Sequence, residues 1–155
     1  MKLKEFIVPD AIVANLKATS RDEALRELVT TLAQAGAVAE SAVEEIVAAL
    51  IKREKNGSTG FGKGVAVPHV KHPAVSKMAG GIGRSDAGID FSALDGQPVF
   101  SMFLLLSPDN QPTQHLQAMN IVFSNLQKDM FRKFLRQSDT KQKIVDLLDE
   151  ADAGK

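Results

Sequence analysis

The stretch Val99-Phe100-Ser101-Met102-Phe103-Leu104-Leu105-Leu106 is a nearly continuous apolar run. Such a run is typical of a strand whose alternating side chains are covered on both faces of a sheet. The residues that follow, Ser107-Pro108-Asp109-Asn110-Gln111-Pro112, are rich in turn formers and predict a loop. The run therefore predicts a buried strand in a sheet that carries helices on both faces.

Periodicity on either side of this run predicts the other elements. Alternating apolar residues predict a short strand around residues 12–16, and residues 65–67 and 78–84 predict two more. Two capping boxes, Ser20 to Glu23 and Ser41 to Glu44, begin helices that are predicted to end at Gly36 and near Lys55. Helical spacing returns over residues 116–126 and 140–150.

This order of elements predicts the fold class. The order is β-α-α-β-β-β-α-α, with room for one more helix. It is typical of an α+β fold of three layers (α/β/α), a mixed β-sheet with helices on both faces. No repeat, low-complexity tract or linker divides the chain, so residues 1–155 are predicted to form one domain.

The composition excludes several classes of protein. Lys and Arg number 19, as do Asp and Glu, and there is no Trp or Tyr, so neither a basic face nor base-stacking rings are available for nucleic acid. The absence of cysteine excludes a disulfide framework, a thiolate zinc site and a cysteine nucleophile. No signal peptide or bilayer-spanning run is recognisable. We therefore expect a cytoplasmic protein without membrane insertion and without a nucleic-acid partner.

The segment Gly57-Ser58-Thr59-Gly60-Phe61-Gly62-Lys63-Gly64 is too rich in glycine for a regular element. It contains the G-x-x-x-x-G-K pattern of a P-loop, but Gly64 stands where Ser or Thr is required, and the segment follows a helix rather than a strand. A nucleotide-binding loop is thus disfavoured. Because glycine has no side chain, we expect exposed amides here to approach an anion closely, with a flexible surface loop as the alternative.

The chain has three histidines, His69, His72 and His115. His69 follows Pro68 at the end of the strand over residues 65–67, and His115 lies in the first turn of a helix, which favours anions. His69 and His72 are three residues apart, but no third ligand and no zinc motif accompany them, so no metal and no cofactor are expected. A serine triad is disfavoured because the G-x-S-x-G elbow is missing. Spacing alone leaves open that these histidines are ordinary surface or core residues.

The residues from Arg53 to His69 carry a resemblance to a known family. The stretch Arg53-Glu54-Lys55-Asn56-Gly57-Ser58-Thr59-Gly60-Phe61-Gly62-Lys63-Gly64-Val65-Ala66-Val67-Pro68-His69 resembles the signature of enzyme IIA domains of the phosphoenolpyruvate-dependent phosphotransferase system, of the fructose/mannitol/nitrogen-regulatory type. Similar blocks follow at Asp95-Gly96-Gln97-Pro98-Val99, at residues 103–108 and at His115-Leu116. The resemblance extends over nearly the whole chain.

The resemblance implies a phosphorylated histidine and its surroundings. It implies that His69 accepts the phosphate, with Nε2 as the expected atom, that Arg53 neutralises the phosphate charge, and that His115 donates a hydrogen bond to it. A neutral imidazole is a reasonable nucleophile near pH 7, and a guanidinium suits a phosphate. The phosphate pocket is expected to include Gly57, Ser58, Thr59, Gly60 and Pro68. The implied donor is an HPr-type phosphocarrier protein.

Val70 stands where many members of the family have glycine, and the exposed His72 is expected to be incidental or to add a positive rim. Phe61 and Val70 are expected in an apolar patch that meets the partner. A chain of this length resembles the stand-alone nitrogen-regulatory form, which signals to a downstream regulatory target. The alternatives are a sugar-specific component that passes phosphate to a separate IIB domain for fructose or mannitol uptake, and a regulatory module without phosphotransfer.

Overall fold

The computed structural model describes residues 1–154, in which six strands form one mixed sheet and five α-helices pack against it. The strands are β1 (Ile7–Val13), β2 (Gly60–Gly62), β3 (Val65–Ala66), β4 (His69–Lys71), β5 (Ala79–Ile89) and β6 (Val99–Ser107). The helices are α1 (Arg21–Gln34), α2 (Val43–Lys55), α3 (Pro112–Leu126), α4 (Asp129–Gln137) and α5 (Lys141–Asp152). The predicted fold class, a mixed sheet with helices, is confirmed. None of the helices within residues 1–154 is long and apolar enough to cross a bilayer.

Strand β6 organises the sheet. The order of strands is β1-β5-β6-β3-β2, and β4 pairs with β6 just beyond β3. β5 is antiparallel to β6, whereas β3 and β4 are parallel to it, so that Val65 lies opposite Ser101 and His69 opposite Leu105. Together β3 and β4 form one strand that Pro68 interrupts, and this places His69 at the carboxyl end of β6.

The two faces of β6 belong to two separate cores, which confirms that this strand is covered on both sides. Alternate residues of β6 point to opposite faces. One set packs with α1 and α2, and the other packs with α3, α4 and α5. The first core contains Met102, Leu104, Leu106, Leu28 and Leu50, and the second contains Phe103, Leu105, Val122, Leu135 and Leu148.

The ends of α1 follow the sequence prediction, whereas the start of α2 does not. Ser20 caps α1 by accepting a hydrogen bond from the Glu23 amide at 3.3 Å. Gly36, at φ +79°, ends the helix in a Schellman motif, since its amide reaches Ala33 O and the following amide reaches Leu32 O. The predicted Ser41 cap is wrong, because a 3₁₀ turn over Glu40–Ala42 moves the start of α2 to Val43.

The strands differ more from the prediction. The glycine-rich segment is not wholly irregular, because β2 and β3 form a hairpin whose turn residues, Lys63 and Gly64, both have positive φ, as in a type I′ turn. His69 begins a separate short strand, β4, instead of ending the strand over residues 65–67. β1 begins earlier than predicted, at Ile7, and β5 extends to Ile89. β1 and β4 differ from the prediction because each pairs with a strand that is distant in the sequence, which local periodicity does not report.

Candidate functional site

His69 is fixed in the sheet with one ring nitrogen occupied and one free. Its ring is half-buried, and Nδ1 lies 2.7 Å from the carbonyl oxygen of Val67. A carbonyl oxygen only accepts, so Nδ1 carries the proton, and in the neutral ring the lone pair is on Nε2. Burial lowers the pKa of His69 below its usual value, with Arg53 and Lys71 acting in the same direction. His69 is therefore neutral near pH 7.

His115 lies beside His69, with ring centroids 5.6 Å apart and planes tilted by 44°. It comes from the first turns of α3, and its Nδ1 lies 2.7 Å from Oγ of Ser107, the buried last residue of β6. Burial, then His69 and Lys71, lower the pKa of His115 to about 4. The structure thus brings together the two histidines that the sequence analysis selected. Ser107 was missed, although its position at the end of the apolar run was a signal.

Arg53 comes from the last turn of α2, on the other side of His69. It is half-buried, and Nη1 donates to Gly57 O at 2.7 Å, which holds the chain as it leaves the helix. Its positive charge contributes to lowering the pKa of His69. No second hydrogen bond from this side chain reaches any residue in the part of the chain that the structure describes. Donors are therefore left for an anion.

Glu54 is a site residue that the sequence analysis missed. Although it is charged, Glu54 is only 4% exposed. One carboxylate oxygen accepts from the Thr59 amide at 3.0 Å and the other from the Thr59 hydroxyl. The signal was present, because Glu54 continues the helical spacing of Ile46, Val47 and Leu50, which are buried on the same face.

The predicted phosphate loop has few free donors. The Ser58 hydroxyl donates to Phe91 O at 2.6 Å and accepts from the Gly60 amide, and both donors of Thr59 are bound to Glu54. The Gly57 amide donates to Glu54 O at 3.1 Å. The expectation of exposed amides that approach an anion is therefore wrong for the amides of Gly57, Thr59 and Gly60.

Close packing explains why position 60 holds a glycine. A Cβ on Gly60 would lie 3.0 Å from Cβ of Ala93, so a larger residue would push the hairpin away from its neighbour. Pro68 is buried directly before His69 and fixes the backbone on that side. The contact of Gly60 and Pro68 with a phosphate stays a prediction.

His72 is not the exposed residue that was expected. It is half-buried, its amide donates to Ser107 O at 2.9 Å, and its Nδ1 accepts from the Ala74 amide at 3.0 Å. The His72 ring closes a turn after β4, because its Nδ1 takes the place of a backbone carbonyl as the acceptor for the Ala74 amide. Among residues 1–154, no cluster of three or more His, Asp or Glu side chains could hold a metal ion.

Phe61 and Val70 lie on opposite faces of the sheet. Phe61 packs on Phe123 of α3 with ring centroids 5.0 Å apart and belongs to the second core. Val70 packs against the first core. Both side chains are half-buried, so each offers only part of its surface. A single apolar patch made of these two residues would have to cross the edge where His69 lies.

Known proteins share the sequence and the fold. Residues 5–151 match the family model described as "Phosphoenolpyruvate-dependent sugar phosphotransferase system, EIIA 2". The Nitrogen regulatory protein of Bradyrhizobium diazoefficiens is 39% identical over 148 residues, which cover 96% of this chain and 95% of that protein. The PTS system fructose-specific EIIABC component of Bacillus subtilis is 31% identical over 153 residues, and this chain spans 24% of its length.

The fold agrees with these relatives. The crystal structure of Nitrogen Regulatory Protein IIA-Ntr from Neisseria meningitidis superposes with a TM-score of 0.83 at 29% identity, covering 93% of this chain and 97% of that one. The relatives include nitrogen regulatory proteins and sugar-specific EIIA components, which are consistent with a phosphoryl carrier in regulation of the phosphotransferase type. The chain therefore belongs to the EIIA type 2 family of the phosphoenolpyruvate-dependent sugar phosphotransferase system.

Proposed function

We propose that this chain is a phosphoryl carrier that accepts phosphate on Nε2 of His69 and acts in phosphotransferase-system regulation. One observation carries the proposal. The 2.7 Å contact between Nδ1 and the Val67 carbonyl leaves the lone pair on Nε2, in a ring that faces His115. The proposed donor is an HPr-type phosphocarrier. The proposed place of reaction is the cytoplasm, where phosphoenolpyruvate is the source of the phosphate that such a donor carries.

The transfer itself needs little beyond positioning. The Nε2 lone pair forms a bond to phosphorus, in line with the donor, as the donor's own phosphorus–nitrogen bond breaks and its electron pair stays on the donor nitrogen. No proton has to leave His69 first, because the neutral ring already presents Nε2. As the new bond forms, the ring gains positive charge, and the hydrogen bond from Nδ1 to Val67 O becomes stronger.

Arg53 and His115 have complementary proposed roles. The free donors of the Arg53 guanidinium can bind two phosphoryl oxygens and offset their negative charge. With the Ser107 hydroxyl donating to Nδ1 of His115, the Nε2–H group of His115 is left to donate to a third oxygen. The lowered pKa keeps His115 neutral near pH 7, so that it acts as a hydrogen-bond donor and not as a second fixed charge.

Intact-protein mass tests the proposal. The chain is incubated with phosphoenolpyruvate, enzyme I and an HPr-type carrier, and wild type is compared with His69→Ala. Wild type is expected to gain one phosphate that mild acid removes, because a phosphoramidate is acid-labile, and His69→Ala is expected to gain none. His72→Ala is the matched control and should gain phosphate like wild type. A stable gain in His69→Ala, or none in wild type, would contradict the proposal.

A sugar-specific role is the second candidate, because the fructose-specific EIIABC relative is 31% identical. The two roles differ in where the phosphate goes. We expect the phosphorylated chain to retain its phosphate when it is mixed with a purified IIB domain for fructose or mannitol, and to bind a regulatory target instead. Rapid transfer to the IIB domain, followed by phosphorylation of the sugar, would favour the second role. A module without phosphotransfer is disfavoured because His69, Arg53 and His115 are all present.

A further inference from the structure

Glu54 is the buried ionisable group next to the site for which the transfer mechanism gives no role. It is 4% exposed, and its two carboxylate oxygens accept from the amide and the hydroxyl of Thr59. Its neighbour Arg53 is directed to Gly57 O instead. Burying a carboxylate is costly unless its hydrogen bonds are made. Both oxygens of Glu54 have partners, so its burial is compensated, and the carboxylate is tied to Thr59 in one arrangement.

A chain of hydrogen bonds runs from this carboxylate to the histidine ring. Thr59 is held by Glu54 through both of its donors. The carbonyl of Thr59 then accepts from the Val67 amide at 3.2 Å. The carbonyl of the same Val67 accepts from Nδ1 of His69 at 2.7 Å. The peptide units on either side of Val67 are thus fixed at one end by Glu54 and hold the ring of His69 at the other.

We infer that Glu54 is a positioning residue that acts through Thr59 and Val67 to fix the orientation and the tautomer of His69. The inference rests on the proposed function, since it treats His69 as the acceptor of phosphate. Fixing the ring matters because in-line transfer is sensitive to the direction of the attacking lone pair. The negative charge of Glu54 also opposes the effect of Arg53 on the ring, and so stabilises the positive charge that develops as the bond to phosphorus forms.

A purely structural role for Glu54 makes a different prediction. If the carboxylate only held the end of α2 against the hairpin, its loss would lower stability and leave the ring of His69 unchanged in the folded protein. The readout must therefore come from the ring itself. Nitrogen-15 NMR of the unphosphorylated protein measures the tautomer of His69 and its titration, without any donor protein.

The main variant is Glu54→Gln, which keeps the shape of the side chain but loses the charge and one acceptor. The charged and titratable groups that act on His69 are Arg53, Glu54, Lys71 and His115. Without Glu54 the cations act unopposed. We expect the pKa of His69 to fall further, the share of the Nδ1–H tautomer to decrease, and the phosphorylation rate to drop by on the order of tenfold to a hundredfold.

Two further variants and one control complete the experiment. Thr59→Ser keeps both donors and should have the tautomer and rate of wild type. Thr59→Val loses the hydroxyl and should shift both quantities part of the way towards those of Glu54→Gln. If Glu54→Gln fails to fold, this pair still tests the same chain of hydrogen bonds. Glu45→Gln removes an exposed charge from the same helix and should change nothing.

The inference is overturned if folded Glu54→Gln, or Thr59→Val where Glu54→Gln does not fold, keeps the tautomer, titration and rate of wild type. This failure is distinct from that of the proposed function. If wild type gains phosphate while the variants leave the ring unchanged, only the role of Glu54 is wrong. If the ring responds but wild type gains no phosphate, the network exists and the carrier function is wrong.

Discussion

The two halves of the site come from opposite faces of the sheet and differ in how they are built. The α2 half comprises Arg53, Glu54 and Thr59, of which Glu54 and Thr59 are buried and bonded to each other. The α3 half comprises Ser107, His115 and Leu116. Its helix begins with exposed residues, and Leu116, next to His115, is 60% exposed although it is apolar.

This difference indicates that the two halves of the site have different roles. Burial and closed hydrogen bonds hold the α2 half in one arrangement, which suits the proposed role of orienting His69 for transfer. Leu116 is exposed beside the half-buried His115, and we propose that it contacts a partner protein there. We therefore expect substitutions in the α2 half to affect the chemistry with any donor, and those at Leu116 to affect only reactions with a protein partner.

The largest effect is expected in the α2 half. Arg53→Ala should lower the phosphorylation rate by on the order of 10²–10³-fold, as the loss of a charge-stabilising donor does elsewhere, and Arg53→Lys should recover part of it. Mass measured against time gives the rates. Lys52→Ala, an exposed cation one position earlier, is the control and should react like wild type. An unchanged rate in Arg53→Ala would remove the guanidinium from the proposed mechanism.

A smaller effect is expected from Leu116→Asp. A charge at this exposed position should slow transfer from the HPr-type carrier by about tenfold, since it replaces an apolar contact in the interface. It should leave transfer from phosphoramidate, a small donor that needs no protein surface, unchanged. Met130→Asp, at a 56% exposed position at the start of α4, serves as the control. Equal slowing with both donors would mean that Leu116 belongs to the chemistry and not to the interface.

The pH dependence of stability should report on His115. Its folded pKa of about 4 lies below the unfolded value of 6.5, so its contribution is complete above 6.5 and is lost as the pH falls towards 4. Because the ring is half-exposed, we expect only about 1 kcal/mol, after allowing for solvent screening. Urea unfolding at several pH values measures this. His115→Gln should flatten the decline, and an identical decline in this variant would contradict the assignment.

The smallest effects are expected at two helix caps that lie on opposite faces. Ser20→Ala at α1 and Thr140→Ala at α5 should each lower the free energy of unfolding by about 0.5–1 kcal/mol, because each removes an acceptor for a helix amide. Neither should change the phosphorylation rate. A change in rate for either cap would show that stability and the site are coupled more widely than the division into halves allows.

The sequence predicts this molecule well where short-range patterns decide the structure. The apolar run of β6, the Ser20 cap and the Gly36 end of α1 all follow from residues within a few positions of one another. Arg53 and His69 could be selected because one continuous motif carries them, and His115 could be selected because it lies in a separate block that resembles the same family. These features need no knowledge of what lies across the fold.

The remainder depends on contacts between distant parts of the chain. Strand β4 has only three residues, and β6 supplies the pairing that makes it a strand. Ser58 and Thr59 read as free donors, but Phe91 and Glu54 occupy them. His72 was expected to be exposed, yet it is half-buried, accepts from the Ala74 amide and closes a turn. In each case a hydrogen-bond partner decides the role of the residue, and local spacing does not identify that partner.

The outermost strands of the described sheet also affect how copies of this protein behave in a crowded solution. A chain with a net charge of zero gains little repulsion from its neighbours, so open strand edges would invite copies to add to one another. On one side, β1 carries Pro9, which has no amide to donate, beside an exposed Asp10 and an irregular register. On the other, β2 has only three residues. Both edges are poor templates for aggregation, so the sheet gives copies of this chain little tendency to add to one another.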